Sequence, residues 1–396
     1  MADDRREALI TGIGIVSSLG EGPEAHWQAL SSGAPRADST TFAPYIVHPI
    51  APLEYDKQIP KKGDQRQMEP WQRIGTYAAG LALESAGAKG DAELLAKMDM
   101  IVAAGGGERD LAVDSAILSG RGKTPSQDSF LNERLMNDLR PTLFLAQLSN
   151  LLAGNISIVH GVTGSSRTFM GEEASGVDAV RIAVARINAG QSDIVLVGGA
   201  HNGERRDLLM LYEFGRHNLK EKFAPIWERG SAGGFALGSM GAFLVLESRA
   251  HAEARGAKAL AKLSSVASDR SKRQTGTVTA ALKRLWDGMA QRLRPGQFAV
   301  LSGASGAEPA TKEERSFLVE QKAPIRATAT YLGHAMEPQF PMNVALAAAV
   351  VSRGKLFPPG DASGVEMPIE AAITQVVVTG VGHWRGEGLA LVEAAA

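Results

Sequence analysis

Residues 166–201 read SRTFMGEEASGVDAVRIAVARINAGQSDIVLVGGAH, a pattern of strand, sharp turn, helix and strand. Val177, Val180, Ala183, Val184 and Ile187 recur at the three-and-four spacing of a helix with one buried face, and Gly190 stands where a left-handed residue ends such a helix. The run IVLVGG at 194–199 is continuously apolar and β-branched, as in a strand covered on both faces. Such a unit sets the helix N-terminus at the carboxyl end of a strand, where backbone N–H groups and the helix dipole favour an anion or a reactive nucleophile. Here that place holds Glu172 and Glu173. The dipole favours an ionised Glu173, whereas an apolar pocket would raise its pKa.

The spacing of this segment resembles the nucleophile region of the β-ketoacyl-acyl carrier protein synthases, whose motif runs T-A-C-x-S-G, a helix, then a D-x-x-x-x-G-G strand. Counting back from Gly198 and Gly199, the catalytic Cys of that family falls on Glu173, with Ala174, Ser175 and Gly176 in register. A carboxylate is a poor nucleophile toward thioesters, so this position takes no acyl chain by transthioesterification. The resemblance implies an α/β fold, the thiolase-like duplicated α-β-α-β-α sandwich. It divides the chain into an N-terminal half, 1–247, with the nucleophile position and a helical cap, and a C-terminal half, 248–396, with the histidine region.

Composition narrows the rest. The 396 residues are 44% hydrophobic, carry 44 glycines and no cysteine, and have a formal net charge of -1. These values fit a well-filled globular chain, exclude disulfides and thiolate chemistry, and give no electrostatic case for nucleic acid. No apolar run approaches the ~20 residues of a membrane span, and the opening MADDRREALITGIG lacks a secretory core, so a cytoplasmic location is expected. Gly12 and Gly14 lack the third glycine and the later acidic residue of a dinucleotide fingerprint. They resemble instead the family's first strand.

Further blocks align along the chain. Residues 66–87 resemble the family's R-x-M-D helix, and 223–247 its glycine-rich hairpin, with Ser239 where the family has Glu. Residues 106–154 read as mostly helical. Within them the apolar stretch 141–152 is expected to be core, subunit interface or tunnel wall. Residues 155–159 read as a strand, and 166–170 as the strand that in the family pairs across a dimer axis. The second half shows strands at 257–266, 298–302 and 376–380 and helices at 309–320 and 344–352.

The family's two catalytic histidines lie in N-A-H-G-T-x-T-P and K-x-x-x-G-H. Aligned on Pro309, the first falls on Ala304; the second matches Gly333 and His334, with Ala329 replacing the lysine. Residues 379–385, TGVGHWR, occupy the family's F-G-F-G-G-T-N loop, so Thr379 and His383, together with Met170, are the expected pocket or loop residues. Lys61, Lys62, Arg66, Arg205 and Arg206 lie in segments bordering the pocket mouth and are expected to dock an acidic acyl carrier protein. The other six histidines show no metal-binding pattern, and neither a metal nor a cofactor is expected.

The resemblance is closest to a divergent alphaproteobacterial group linked to very-long-chain fatty acids of lipid A. It implies a non-condensing, chain-length-factor-like subunit that completes the dimer of a cysteine-bearing ketosynthase and works with acyl carrier protein, with a homodimer expected in isolation. Two alternatives stand beside it: an acyltransferase or malonyl-carrier protein decarboxylase active in its own right, and a stand-alone acyl or carrier protein binding protein.

Overall fold

The computed structural model describes residues 4–139 and 147–395. Its strands are β1 (Ala8–Ser17), β2 (Gly20–Glu21), β3 (Val47–His48), β4 (Asp99–Ala103), β5 (Ser166–Phe169), β6 (Ile194–His201), β7 (Leu237–Gly238), β8 (Met240–Ser248), β9 (Ala261–Lys272), β10 (Phe298–Ser302), β11 (Ile325–Ala327), β12 (Gln375–Val381) and β13 (Arg385–Glu393). Eleven of them join in the order β11-β10-β12-β13-β9-β1-β8-β6-β4-β5, with β2 beside β1. The path repeats itself. From one end, β5-β4-β6-β8-β1 is paired parallel, parallel, antiparallel, antiparallel; from the other, β11-β10-β12-β13-β9 has the same sequence of senses. Among the described residues the sheets of the two repeats join through two register pairs, Leu9 with Lys262 and Ile10 with Ala261.

Helices Glu173–Asn188 and Gln339–Arg353 lie between the repeats. Val177, Val180, Ala183 and Val184 of the first and Val344, Ala345, Ala347 and Ala348 of the second share one apolar cluster with Ile10, Val197 and Leu246 on one side and Leu301, Val378 and Ala390 on the other. Alanine suits a helix enclosed by two sheets, because its short side chain lets backbones approach without a cavity. Helices Pro70–Ser85 and Leu151–His160 cover the outer face of the first repeat, and Thr277–Asp287 and Ala310–Glu320 that of the second. This is the five-layered sandwich that the resemblance implies. Gly12 and Gly14 serve this layering: a Cβ on them would lie 2.4 Å from the Ala82 carbonyl and 2.0 Å from that of Ala78, so helix Pro70–Ser85 rests directly on β1.

Several local expectations are corrected. Residues 155–159 are not a strand but the middle of helix Leu151–His160, which ends at Gly161 with φ 79°. Leu152 and Ile156, four apart, face Trp71 and Leu83 in the outer cluster, so the β-branched run is the inner stripe of a helix. Of the apolar stretch 141–152, residues 141–146 lie outside the described residues; 147–150 form a turn, and the helix starts at Leu151. The strand expected at 257–266 runs from Ala261 to Lys272, and the helix expected at 344–352 begins five residues earlier, at Gln339. Strand β13 and helix Thr277–Asp287 were not foreseen.

Candidate functional site

β5 ends at Phe169, and the chain then turns through Gly171 (φ 136°) and Glu172 (φ 56°, ψ -135°) into helix Glu173–Asn188. A non-glycine residue at such angles costs about 1–3 kcal/mol. The turn is held by Ser175, whose backbone N–H (3.0 Å) and hydroxyl (2.7 Å) both donate to the Glu172 carbonyl. Gly176 carries no Cβ where one would stand 2.2 Å from the Glu337 carbonyl, so the segment after His334 packs directly on the first helical turn.

Glu173, the first helical residue, is 4% exposed. One of its oxygens, Oε1, accepts three hydrogen bonds: from His334 Nε2 at 2.8 Å, from the backbone N–H of His383 at 3.0 Å and from His383 Nδ1 at 3.0 Å. Burial alone would raise the pKa of this carboxyl. The positive charge of His383 and the bonds from both imidazoles outweigh it and hold Glu173 well below the usual carboxylate range. For His383 burial pushes the pKa down, but the charge of Glu173, its hydrogen bond and Glu172 carry it above its ordinary value. Burial dominates at His334, which is held below its ordinary value despite the bond to Glu173. The centre is thus a buried Glu173 carboxylate that favours the protonated form of His383, while burial favours the neutral form of His334, whose Nδ1 has no partner among the described residues.

Both histidines are fixed from behind. The backbone of His334 donates to the Ala236 carbonyl (2.8 Å) and accepts from Gly238 (2.9 Å). His383 sits in the loop between β12 and β13, whose carbonyls at Gly382 and Gly386 accept from the Arg273 guanidinium, itself paired with buried Glu387 at 2.5 Å. The His383 ring lies 5.0–5.7 Å from those of His217, Tyr212 and Phe235, and Phe235 is 5.5 Å from His334. Outward, the half-buried Glu172 accepts from Tyr212 Oη (3.3 Å) and from the indole of the exposed Trp384 (2.9 Å); burial and then Glu173 raise its pKa.

The other expected residues are placed differently. Ala304 is buried in an apolar cluster with Trp227, Val381 and Ala329, so both positions where the family carries polar groups, 304 and 329, have become core. Thr379 does not face Glu173: it donates to Glu314 (2.5 Å) and accepts from the Gly303 N–H (2.9 Å). Met170 is 65% exposed, with its sulfur accepting from Ser149. Arg205 is turned inward onto Asp207 and the Gly107 carbonyl, so its charge is already engaged. Lys61, Lys62, Arg66 and Arg206 are exposed, Lys62 beside Asp56 and Arg206 over the Phe42 ring. Ser239 donates to Glu204, which restores a carboxylate at the place of the lost glutamate.

Among the described residues, Glu172, Glu173 and His383 offer three ligand atoms within 4.8 Å of one another. They fit a cation poorly, because the His383 Nδ1 atom already donates its proton to Glu173. Sequence reasoning missed Arg273, His217 and the buried pair of His201 and Glu337, 3.4 Å apart. His201 carried one legible signal, its place at the carboxyl end of β6, where α/β sheets present site residues.

The family described as beta-ketoacyl synthase, N-terminal domain, matches residues 5–252. The chain belongs to the beta-ketoacyl synthase family. It is 27% identical over 272 residues to 3-oxoacyl-[acyl-carrier-protein] synthase 2 of Vibrio harveyi, covering 65% of this chain and 62% of that one. It is 30% identical over 259 residues to the actinorhodin polyketide putative beta-ketoacyl synthase 2 of Streptomyces coelicolor, covering 63% and 60%. The match thus spans about three-fifths of these relatives. Among solved structures, the ishigamide ketosynthase/chain length factor superposes with a TM-score of 0.79 at 18% identity, covering 99% of this chain and all of the other. AntDE:AntF, a type II polyketide acyl-carrier protein in complex with its ketosynthase, gives 0.76 at 18%, covering 98% and 100%. In this family member the histidine-bearing half keeps the fold although the family's sequence match ends at residue 252.

Proposed function

We propose that this chain is a non-condensing subunit of a ketosynthase dimer, comparable to a chain length factor, in the synthesis of very-long-chain fatty acids for lipid A. The observation that carries the reading is the Glu173 carboxylate, which stands at the nucleophile position and consumes both imidazoles and a backbone donor. Carbon–carbon bond formation needs a thiolate to carry the acyl group and free donors for the thioester oxygen. The chain has no cysteine, and position 304 offers a methyl group. Decarboxylation of malonyl-carrier protein is disfavoured too, because a buried Glu173 anion repels the malonyl carboxylate and His334 is already engaged.

A partner has surfaces to cover. Among the described residues β5 pairs with β4 alone, and Leu118 of helix Leu111–Gly120, Met136 of helix Gln127–Asn137 and Ile158 of helix Leu151–His160 are 70–74% exposed. A strand edge without a neighbour among the described residues, together with exposed apolar side chains, suits a second, cysteine-bearing ketosynthase, or a second copy of this chain in isolation. Lys61, Lys62, Arg66 and Arg206 remain for an acidic carrier protein, in the cytoplasm. The test is elongation of acyl- and malonyl-carrier protein. The isolated chain makes no product, and neither does its Glu173→Cys variant, since one missing oxyanion donor typically costs ~10² to 10³ in rate. Added to the partner, the chain raises the rate or lengthens the product. Product from the chain alone, or a partner indifferent to it, overturns the reading.

A further inference from the structure

Three donors from two separate loops meeting at one oxygen, inside a site closed to water, is the arrangement that binds a carboxylate or an oxyanion. In this chain the oxygen belongs to the protein. We infer that the His334 and His383 cradle is a receptor for a small carboxylate and that Oε1 of Glu173 is its built-in occupant. This rests on the non-condensing reading above and deepens it: the place a thioester carbonyl oxygen would need is filled from within.

The cradle owes its shape to other residues. His334 is tied by its backbone to Ala236 and Gly238. Arg273 holds the His383 loop through two carbonyls and Glu387. Phe235 stands against both imidazole rings, 5.5 and 5.7 Å from them. Shortening Glu173 to alanine therefore removes the occupant together with the negative charge that faces His383, and leaves its donors aimed at the same point. A one- or two-carbon carboxylate supplies both the acceptor and the charge; a neutral amide of the same size supplies only the acceptor.

The experiment is thermal unfolding of the full-length Glu173→Ala variant in sodium formate or sodium acetate, against sodium chloride at equal ionic strength and against acetamide. The variant is expected to melt several degrees below the wild type, and formate and acetate, but not acetamide, to recover part of the loss. The wild type and Glu173→Gln, whose side-chain oxygens occupy the cradle, respond to acetate no more than to chloride. Adding His334→Phe to Glu173→Ala abolishes the recovery. If the alanine variant does not fold in chloride, its soluble recovery in acetate against acetamide carries the same decision. A variant indifferent to carboxylates, or a wild type or glutamine variant that gains as much, overturns the inference. The readout uses the isolated chain, so it stands or falls separately from any elongation assay with a partner.

Discussion

Glu173 and Glu314 are both buried glutamates, 4% and 0% exposed, yet their pKa values move in opposite directions. Oε1 of Glu314 accepts from the hydroxyls of Ser302 (2.7 Å) and Thr379 (2.5 Å), while its Oε2 has no partner among the described residues. Burial raises its pKa to about 7 against those two bonds and the more distant Arg273. At Glu173 a backbone N–H and two imidazoles, one of them cationic, converge on one oxygen, and the pKa moves the other way. Neutral hydroxyls do not compensate the loss of water around a carboxylate; a full counter-charge with a directed N–H does. One carboxyl is held as an ion by a cage of donors; the other is pushed toward its neutral acid by the core.

The largest effect is expected from breaking the cage. Glu173→Leu leaves the buried donors of His334 and His383 without their acceptor and should cost about 3–5 kcal/mol in urea unfolding at pH 8. Glu314→Gln, which removes an ionisation that burial opposes, should be close to neutral or stabilising at the same pH. Equal losses from the two substitutions would erase the contrast.

Next in size is the pH dependence. Because the folded pKa of Glu314 is raised above its unfolded value, the folded state binds the extra proton, and stability falls as pH rises from about 4.5 through about 7. The difference in stability between wild type and Glu314→Gln should therefore change by on the order of 3 kcal/mol across that window, in favour of the variant at high pH. Comparing the two proteins cancels the opposite slope of the buried neutral histidines. Burial holds His26 and His160 at about 4 and, with Arg229 nearby, His48 at about 3, so their contribution is lost as pH falls below 6.5. A flat difference would place the charge of Glu314 wrongly. At Glu173 the sign reverses: its depressed pKa contributes stability above about 4.5 that is lost in acid, and the raised pKa of His383 contributes stability below 6.5 that is lost as pH rises through its folded value.

The smallest effect belongs to the outer contact. Trp384→Phe removes the indole donor to Glu172 at a half-exposed site and should cost less than about 1 kcal/mol by thermal unfolding. A loss as large as that of Glu173→Leu would mean that the charge at the turn is controlled from Glu172 instead.

By itself the chain's order of residues determined that Glu173 opens a helix at the end of a strand, that no thiol stands there, and that the donor positions 304 and 329 carry methyl groups. The first two follow from spacing and identity within short windows, where periodicity and turn chemistry act locally; the donor positions and the duplicated sandwich were legible only through the resemblance, since alternating blocks of strand and helix by themselves give no more than an α/β chain. The resemblance places His334, and the loop of His383, near this pocket; the tertiary structure alone brought both to one oxygen of Glu173, from 161 and 210 positions away in sequence. It alone turned Arg205 inward, Met170 outward and Thr379 toward Glu314. Charge states belong to this second group: a carboxyl's pKa depends on how much water it loses and which charges stand within a few ångströms, and neither quantity is a property of its neighbours in the chain.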